Sequence, residues 1–217
     1  MPRLVSYAAG VLLAAAFLHL LPEAFNSEAA GEGLFAVVLA GILAFFVLEK
    51  AALWRHRHAP EATHAGHAHS RAGTLILIGD GVHNFIDGIL IAAAFLTDPA
   101  VGVSTTIAIV AHEIPQEVGD FMVLLSSGYT RARALLFNLL SSLTAVAGGL
   151  LGYFMLERAE AVLPYALALA AASFIYIAVA DLIPDLHRTI DTRGALWQFV
   201  LIGLGVATIA ASHFWLH

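Results

Sequence analysis

Long apolar stretches recur along the chain with short polar interruptions between them. They run from Leu4 to Phe25, Leu34 to Trp54, Thr74 to Leu96, Val101 to Ser126, Ala132 to Leu156, Val162 to Pro184 and Ala195 to Leu216. A helix crossing the hydrocarbon core needs about 20 mostly apolar residues, so each stretch reads as a spanning helix. The pattern predicts an all-α, polytopic transmembrane helix bundle of seven apparent spans. A transmembrane β-barrel would show shorter segments with alternating polarity. The connections are too short for a folded extramembrane domain, so residues 1–217 form a single transmembrane domain.

Composition supports this reading. Hydrophobic residues make up 60% of the chain and charged ones 12%, a balance no soluble surface sustains. The chain's surroundings are therefore a lipid bilayer, and nothing in it points to nucleic acid. The absence of cysteine removes thiolate ligands and disulfides. The apolar run that follows Met1-Pro-Arg3 lacks a small-residue cleavage site after a short core, so it is expected to be a retained span rather than a signal peptide.

Charge placement orients the bundle. Arg3, Lys50, Arg55, Arg57, Arg71, Arg131, Arg133, Arg188 and Arg193 fall on one side of the seven spans, and only Arg158 on the other. Short loops rich in Lys and Arg stay cytoplasmic. The expectation is a cytoplasmic N-terminus and an outer C-terminus in a plasma or inner membrane. Residues 55–72 hold His56, His58, His64, His67 and His69 among Ala, Gly and Pro, and read as a flexible cytoplasmic loop. Such tracts bind metal weakly or simply serve as solvated linkers.

The third and fourth spans are unusual in being polar. One carries Asp80, His83, Asn84 and Asp87; the next carries His112, Glu113, Gln116, Glu117 and Asp120, with Pro115 among them. Ionisable groups are expensive inside a bilayer and normally face the bundle interior. At 3.6 residues per turn, His83 stacks with Asp87 and His112 with Gln116. Imidazole and carboxylate together suit zinc and, less selectively, iron or manganese. Carboxylates can also bridge two ions, with Asp87 and Glu113 placed to do so. The alternative is polar glue between helices. Pro115 is expected to kink its helix and free a carbonyl.

Weaker cues lie elsewhere. His19-Leu-Leu-Pro22-Glu23 ends the first span and Asp181-Leu-Ile-Pro184-Asp185 the sixth. This similarity has the form of a transporter's inverted repeat. These residues suit ion attraction at an entrance and an exit, or helix-end capping. Asn138, Ser141 and Ser142 offer a third wall, although such residues usually bond to neighbouring helices. Gly148, Gly149 and Gly152 suggest close helix packing.

Taken together, HNFIDG in one span, HEIPQEVGDF in the next, HLLPEAF in the first and DLIPDL in the sixth resemble the ZIP (Zrt/Irt-like) divalent metal transporters. The resemblance implies zinc import, with iron, manganese or cadmium as further substrates, through a binuclear centre. That centre would use His83, Asn84 and Asp87 with His112, Glu113, Gln116 and Glu117. Members often carry His where this chain has Gln116, and an amide oxygen is the weaker ligand. The family typically has eight spans and the first span here resembles its second, so a helix is expected to be absent at the start unless seven-span forms exist. The resemblance leaves a homodimer open. Two other classes remain at this stage. His112-Glu113-x-x-Gln116 is one residue from the zinc-protease pattern H-E-x-x-H, and a His/Asp relay would equally suit a proton-linked carrier of a non-metal solute.

Overall fold

The computed structural model describes the backbone of residues 2–27, 32–57, 65–187 and 192–216. Seven helical segments follow one another: α1 (residues 2–26), α2 (Glu32–Arg57), α3 (Ala65–Thr97), α4 (Pro99–Ser126), α5 (residues 131–156), α6 (residues 163–187) and α7 (Thr192–Leu216). Their bounds follow the apolar runs closely. The largest departure is at α3, which begins at Ala65, nine residues ahead of the apolar run. Helix thus enters the His-rich stretch from both sides. Residues 58–64 and the side chains of 51–72, including all five loop histidines, lie outside the described residues.

Among the described residues, α1, α3, α5, α6 and α7 each have the length and composition to cross a membrane, and α2 contributes the apolar stretch Gly33–Val47. The polar positions from His112 to Asp120 interrupt the apolar run of α4. That helix is firmly begun: Pro99 supplies a preset φ, and Asp98 Oδ1 accepts hydrogen bonds from the backbone N–H of Ala100 and Val101 at 2.7 and 3.1 Å. Both devices satisfy the otherwise orphaned start of a helix. After Ser127 the chain turns at Gly128, where φ is 89°, a conformation favouring glycine.

Packing partners come in matched pairs. Helix α1 packs on α7 as α6 packs on α2, and α1 packs on α4 as α6 packs on α3. This is the arrangement an internal repeat exchanging α1 with α6, α2 with α7 and α3 with α4 would produce. The same exchange relates two irregularities. Residues Ala16–Leu20 of α1 and Ile177–Leu182 of α6 are π-helical, with the N–H of Leu21 donating to the Ala16 carbonyl and that of Ile183 to the Ala178 carbonyl. Pro22 and Pro184 follow directly. Proline cannot donate to the carbonyl four residues back and its ring crowds that turn, so widening the turn accommodates it.

The most extensive contact joins α3 to the second half of α5. It depends on glycine. A Cβ on Gly148 would collide with the Phe85 carbonyl oxygen, and one on Gly88 with that of Ala145. Helix α5 is interrupted at Leu143 between Arg131–Ser142 and Thr144–Leu156. Beside the interruption, the Thr144 hydroxyl lies 2.6 Å from both the Gly81 and the Ser141 carbonyls. Helix α4 carries Pro115 without any interruption of its helical backbone; the expected irregularity lies in α1, α5 and α6 instead.

Candidate metal centre

His112 lies midway along α4, about 20 Å from either end at 1.5 Å per residue. Its side chain is buried, its Nδ1 lies 3.1 Å from the Ala108 carbonyl, and the Phe174 ring of α6 meets it edge-on at 6.1 Å. A carbonyl only accepts, so this contact places the proton on Nδ1 and leaves the Nε2 lone pair free.

Three other acceptors converge on that lone pair. Nε2 of His112 is 3.3 Å from Asp87 Oδ2, 3.3 Å from Glu113 Oε1 and 3.4 Å from His83 Nε2. His83 Nε2 in turn is 3.3 Å from Glu113 Oε1 and 3.7 Å from Asp87 Oδ2. Asp87 Oδ2 and both Glu113 carboxylate oxygens are buried without hydrogen-bond partners. Four electron-rich atoms, two nitrogens and two oxygens, therefore face one point. With metal–ligand bonds of about 2.0–2.1 Å, the ligands of a tetrahedral zinc ion stand about 3.3–3.4 Å apart. Most of the separations here match that edge length.

Helix periodicity explains the convergence. Asp80, Asn84 and Asp87 lie on one face of α3, with His83 beside them, and His112, Glu113, Gln116 and Glu117 share one face of α4. The two faces meet where α3 packs on α4. A second cluster, Asp80, Glu113 and Glu117, lies next to the first and shares Glu113 with it. Two unit charges 4.8 Å apart repel by roughly 3–4 kcal/mol at an effective dielectric of about 20, so this polar core strongly favours positive charge.

The other sequence candidates have varied places. Asn84 Nδ2 donates to Asp80, to Oδ1 at 3.0 Å and to the backbone carbonyl at 3.2 Å, and Gln116 Nε2 donates to Asp80 Oδ1 at 3.3 Å. Both amides therefore bind a carboxylate, and Gln116 stands outside the four-atom cluster. Glu117 accepts a hydrogen bond from the Ser142 hydroxyl, and its backbone carbonyl accepts one from Asn138 Nδ2 at 2.8 Å. His19 is buried within the π segment of α1, which packs on α6 and α4, rather than opening to a surface. Glu23 is half-buried and Asp120 partly buried further along α4. Asp181 and Asp185 are exposed and line a cavity of 440 Å³ that reaches back to His112, Pro115 and Gln116.

Asp80, which stands outside the ligand set the resemblance implies, lies beside Glu113 and Glu117. Its spacing of four and seven residues from Asn84 and Asp87 carried that signal. Phe174 and the Ala108 carbonyl were not singled out; nothing in an apolar run distinguishes the one residue that will meet a ring from another helix. The protease pattern lacks its second imidazole: Gln116 stands at that position and its Nε2 donates to Asp80 Oδ1.

Fold and site together define a polytopic helical membrane protein with a largely buried cluster of imidazole and carboxylate groups midway along α4. A family model described as ZIP zinc transporter matches residues 55–213, and the chain belongs to that family. It is 36% identical over 229 residues to zinc transporter ZIP13 of Pongo abelii, covering 95% of this chain and 65% of that protein. It is 32% identical over 260 residues to ZIP13 of Homo sapiens, covering 95% and 69%. Against zinc transporter ZIP10 of Homo sapiens it is 36% identical over 166 residues, 70% of this chain and 20% of that protein. The chain thus spans a fifth of ZIP10 and about two thirds of ZIP13.

Proposed function

We propose that this chain carries divalent metal ions, zinc foremost, across the membrane and into the cytoplasm. The observation that carries the reading is the convergence of His83 Nε2, His112 Nε2, Asp87 Oδ2 and Glu113 Oε1. Two imidazoles and two carboxylates suit zinc and also admit iron, manganese and cadmium. The relatives' name, zinc transporter, agrees with that chemistry.

In this mechanism the ion exchanges its water for the four side chains. Asp87 and Glu113 neutralise its charge, and the Ala108 carbonyl holds His112 in the tautomer that binds metal. A second ion on the Glu117 side of Glu113 makes the centre binuclear. Release follows the cavity from His112 and Gln116 to Asp181 and Asp185, whose carboxylates attract the departing cation. The distribution of Lys and Arg supports reading those two aspartates as the cytoplasmic end, in keeping with import through a plasma or inner membrane.

The test is radioactive zinc uptake into liposomes containing the purified chain, beside a His83→Ala/Glu113→Ala variant. Saturable uptake that the variant loses is the expected result. Equal flux through both proteins would contradict the assignment.

A further inference from the structure

The end of α6 and the start of α7 enclose a crevice of 520 Å³, walled by Ile183, Leu186 and His187 on one side and by Ala195, Phe199 and Ile202 on the other. That volume lies within the range of small-molecule pockets, about 300–1,000 Å³. From Ala195 to Ile202 the crevice follows α7 for about 10 Å at 1.5 Å per residue. Gln198 Nε2 donates to the Leu186 carbonyl at 3.0 Å. This bond satisfies a carbonyl that a helix end otherwise leaves orphaned, and it fixes the two walls relative to each other.

Apolar side chains facing lipid are ordinary on a spanning helix, whereas an open crevice between packed helices is not. The internal repeat supplies a comparison within the same molecule. Three residues past Pro22, Phe25 of α1 meets Phe35 of α2 with ring centroids 4.5 Å apart. Three residues past Pro184, α6 carries His187 instead. Two aromatic rings thus meet at the junction of α1 with α2, while an imidazole and a crevice stand at the junction of α6 with α7.

The polar end of the crevice is positively charged. His187 is exposed at the end of α6, and exposed Arg3 holds its guanidinium carbon 5.5 Å from the centroid of the Trp197 ring, next in sequence to Gln198. Helix α1, which carries Arg3, packs on both α7 and the last turns of α6. Trp and Arg at the ends of spanning helices suit the level of the lipid headgroups. Nine of the 10 Lys and Arg residues fall on this side of the spans. The nearby carboxylates of Asp181 and Asp185 line the cavity that reaches His112, not this crevice.

We propose that the crevice between α6 and α7 seats one acyl chain of an anionic phospholipid, with its headgroup among Arg3, Trp197 and His187. Basic pockets between helices on the Lys- and Arg-rich side suit such headgroups. The segment Ile183–His187 forms one wall of the crevice and also carries Asp185 of the neighbouring cavity. A lipid seated there braces a wall common to both.

Native mass spectrometry of the full chain, released from nanodiscs with equal amounts of phosphatidylglycerol and phosphatidylcholine, tests this by counting retained lipid. One phosphatidylglycerol per chain should be retained in preference to phosphatidylcholine. Ala195→Phe places a ring in the crevice and should abolish retention. Arg3→Gln leaves the crevice open and should lower the preference for phosphatidylglycerol about fivefold, the worth of one basic residue at a membrane surface. Circular dichroism reports the fold of each variant, and Arg3→Gln, on an exposed side chain, carries the test should Ala195→Phe unfold. No retained lipid, equal retention of the two lipids, retention that survives in folded Ala195→Phe, or a preference that Arg3→Gln leaves intact would each overturn the proposal. Lipid-free dimers would assign the crevice to a second copy of the chain and overturn it equally.

Discussion

His112 on α4 and Asp87 on α3 meet with Nε2 and Oδ2 3.3 Å apart, each side chain 1% exposed. The proton that would make this an ordinary hydrogen bond is on Nδ1, engaged with Ala108. Two lone pairs therefore face one another between buried side chains, a conflict that a cation between them would resolve. The pair lies where α3 packs on α4, so an ion bound there would couple binding to helix packing.

Asp87→Asn separates those effects. Removing one buried charge should raise thermal stability without metal, by roughly 2–4 °C for each kcal/mol of repulsion relieved. The stabilisation that zinc gives the unaltered protein should disappear. Melting curves in detergent with and without zinc check both. Asp87→Ala should abolish uptake at normal protein abundance.

Phe174 is fully buried with its ring edge-on to His112. Phe174→Ala should cost about 3–5 kcal/mol by leaving a cavity. Phe174→Leu keeps most of the volume but loses the ring contact. It should leave the fold intact and weaken zinc binding, as isothermal titration would show. Unchanged affinity would mean that the backbone alone positions the imidazole.

The architecture was legible because a bilayer imposes a single requirement, about 20 apolar residues for each crossing. Each of the seven runs therefore falls on a helix, with ends within about three residues except at α3, which begins nine residues early. The cluster was legible for a related reason: His83, Asp87, His112 and Glu113 are costly in lipid and have to meet. Pro22 and Pro184 marked irregular helices without revealing that the irregularity would be a π turn. The break at Leu143 had no proline to announce it, only serine and threonine, which bond to backbone in many settings. Spacing places Gln116 over His112 but does not reveal that its amide nitrogen donates to Asp80, a partner 36 residues away on another helix.

Gly148 allows α5 to approach α3 closely enough for its missing Cβ to be required. Gly148→Ala should destabilise the bundle by about 1–3 kcal/mol, the usual range for overpacking. Gly203→Ala, with open space around it, is the control and should be close to neutral. Unfolding midpoints of the two variants provide the comparison.

Asp181 and Asp185 line the cavity leading from His112 without belonging to the four-atom cluster. Asp181→Asn/Asp185→Asn should lower the maximal rate of zinc uptake several-fold while equilibrium zinc affinity stays the same. Loss of affinity with the rate preserved would place these aspartates in the binding site rather than along the way out.

Two imidazoles and two carboxylates are expected to bind the ion together. X-ray absorption spectroscopy of the purified chain with one equivalent of zinc, its five loop histidines replaced by alanine, tests it most directly. The expected spectrum shows four nitrogen or oxygen ligands at about 2.0–2.1 Å, with outer-shell scattering from two imidazoles that falls to one in His83→Ala. A six-coordinate oxygen environment, or an imidazole signal that His83→Ala leaves intact, would contradict it.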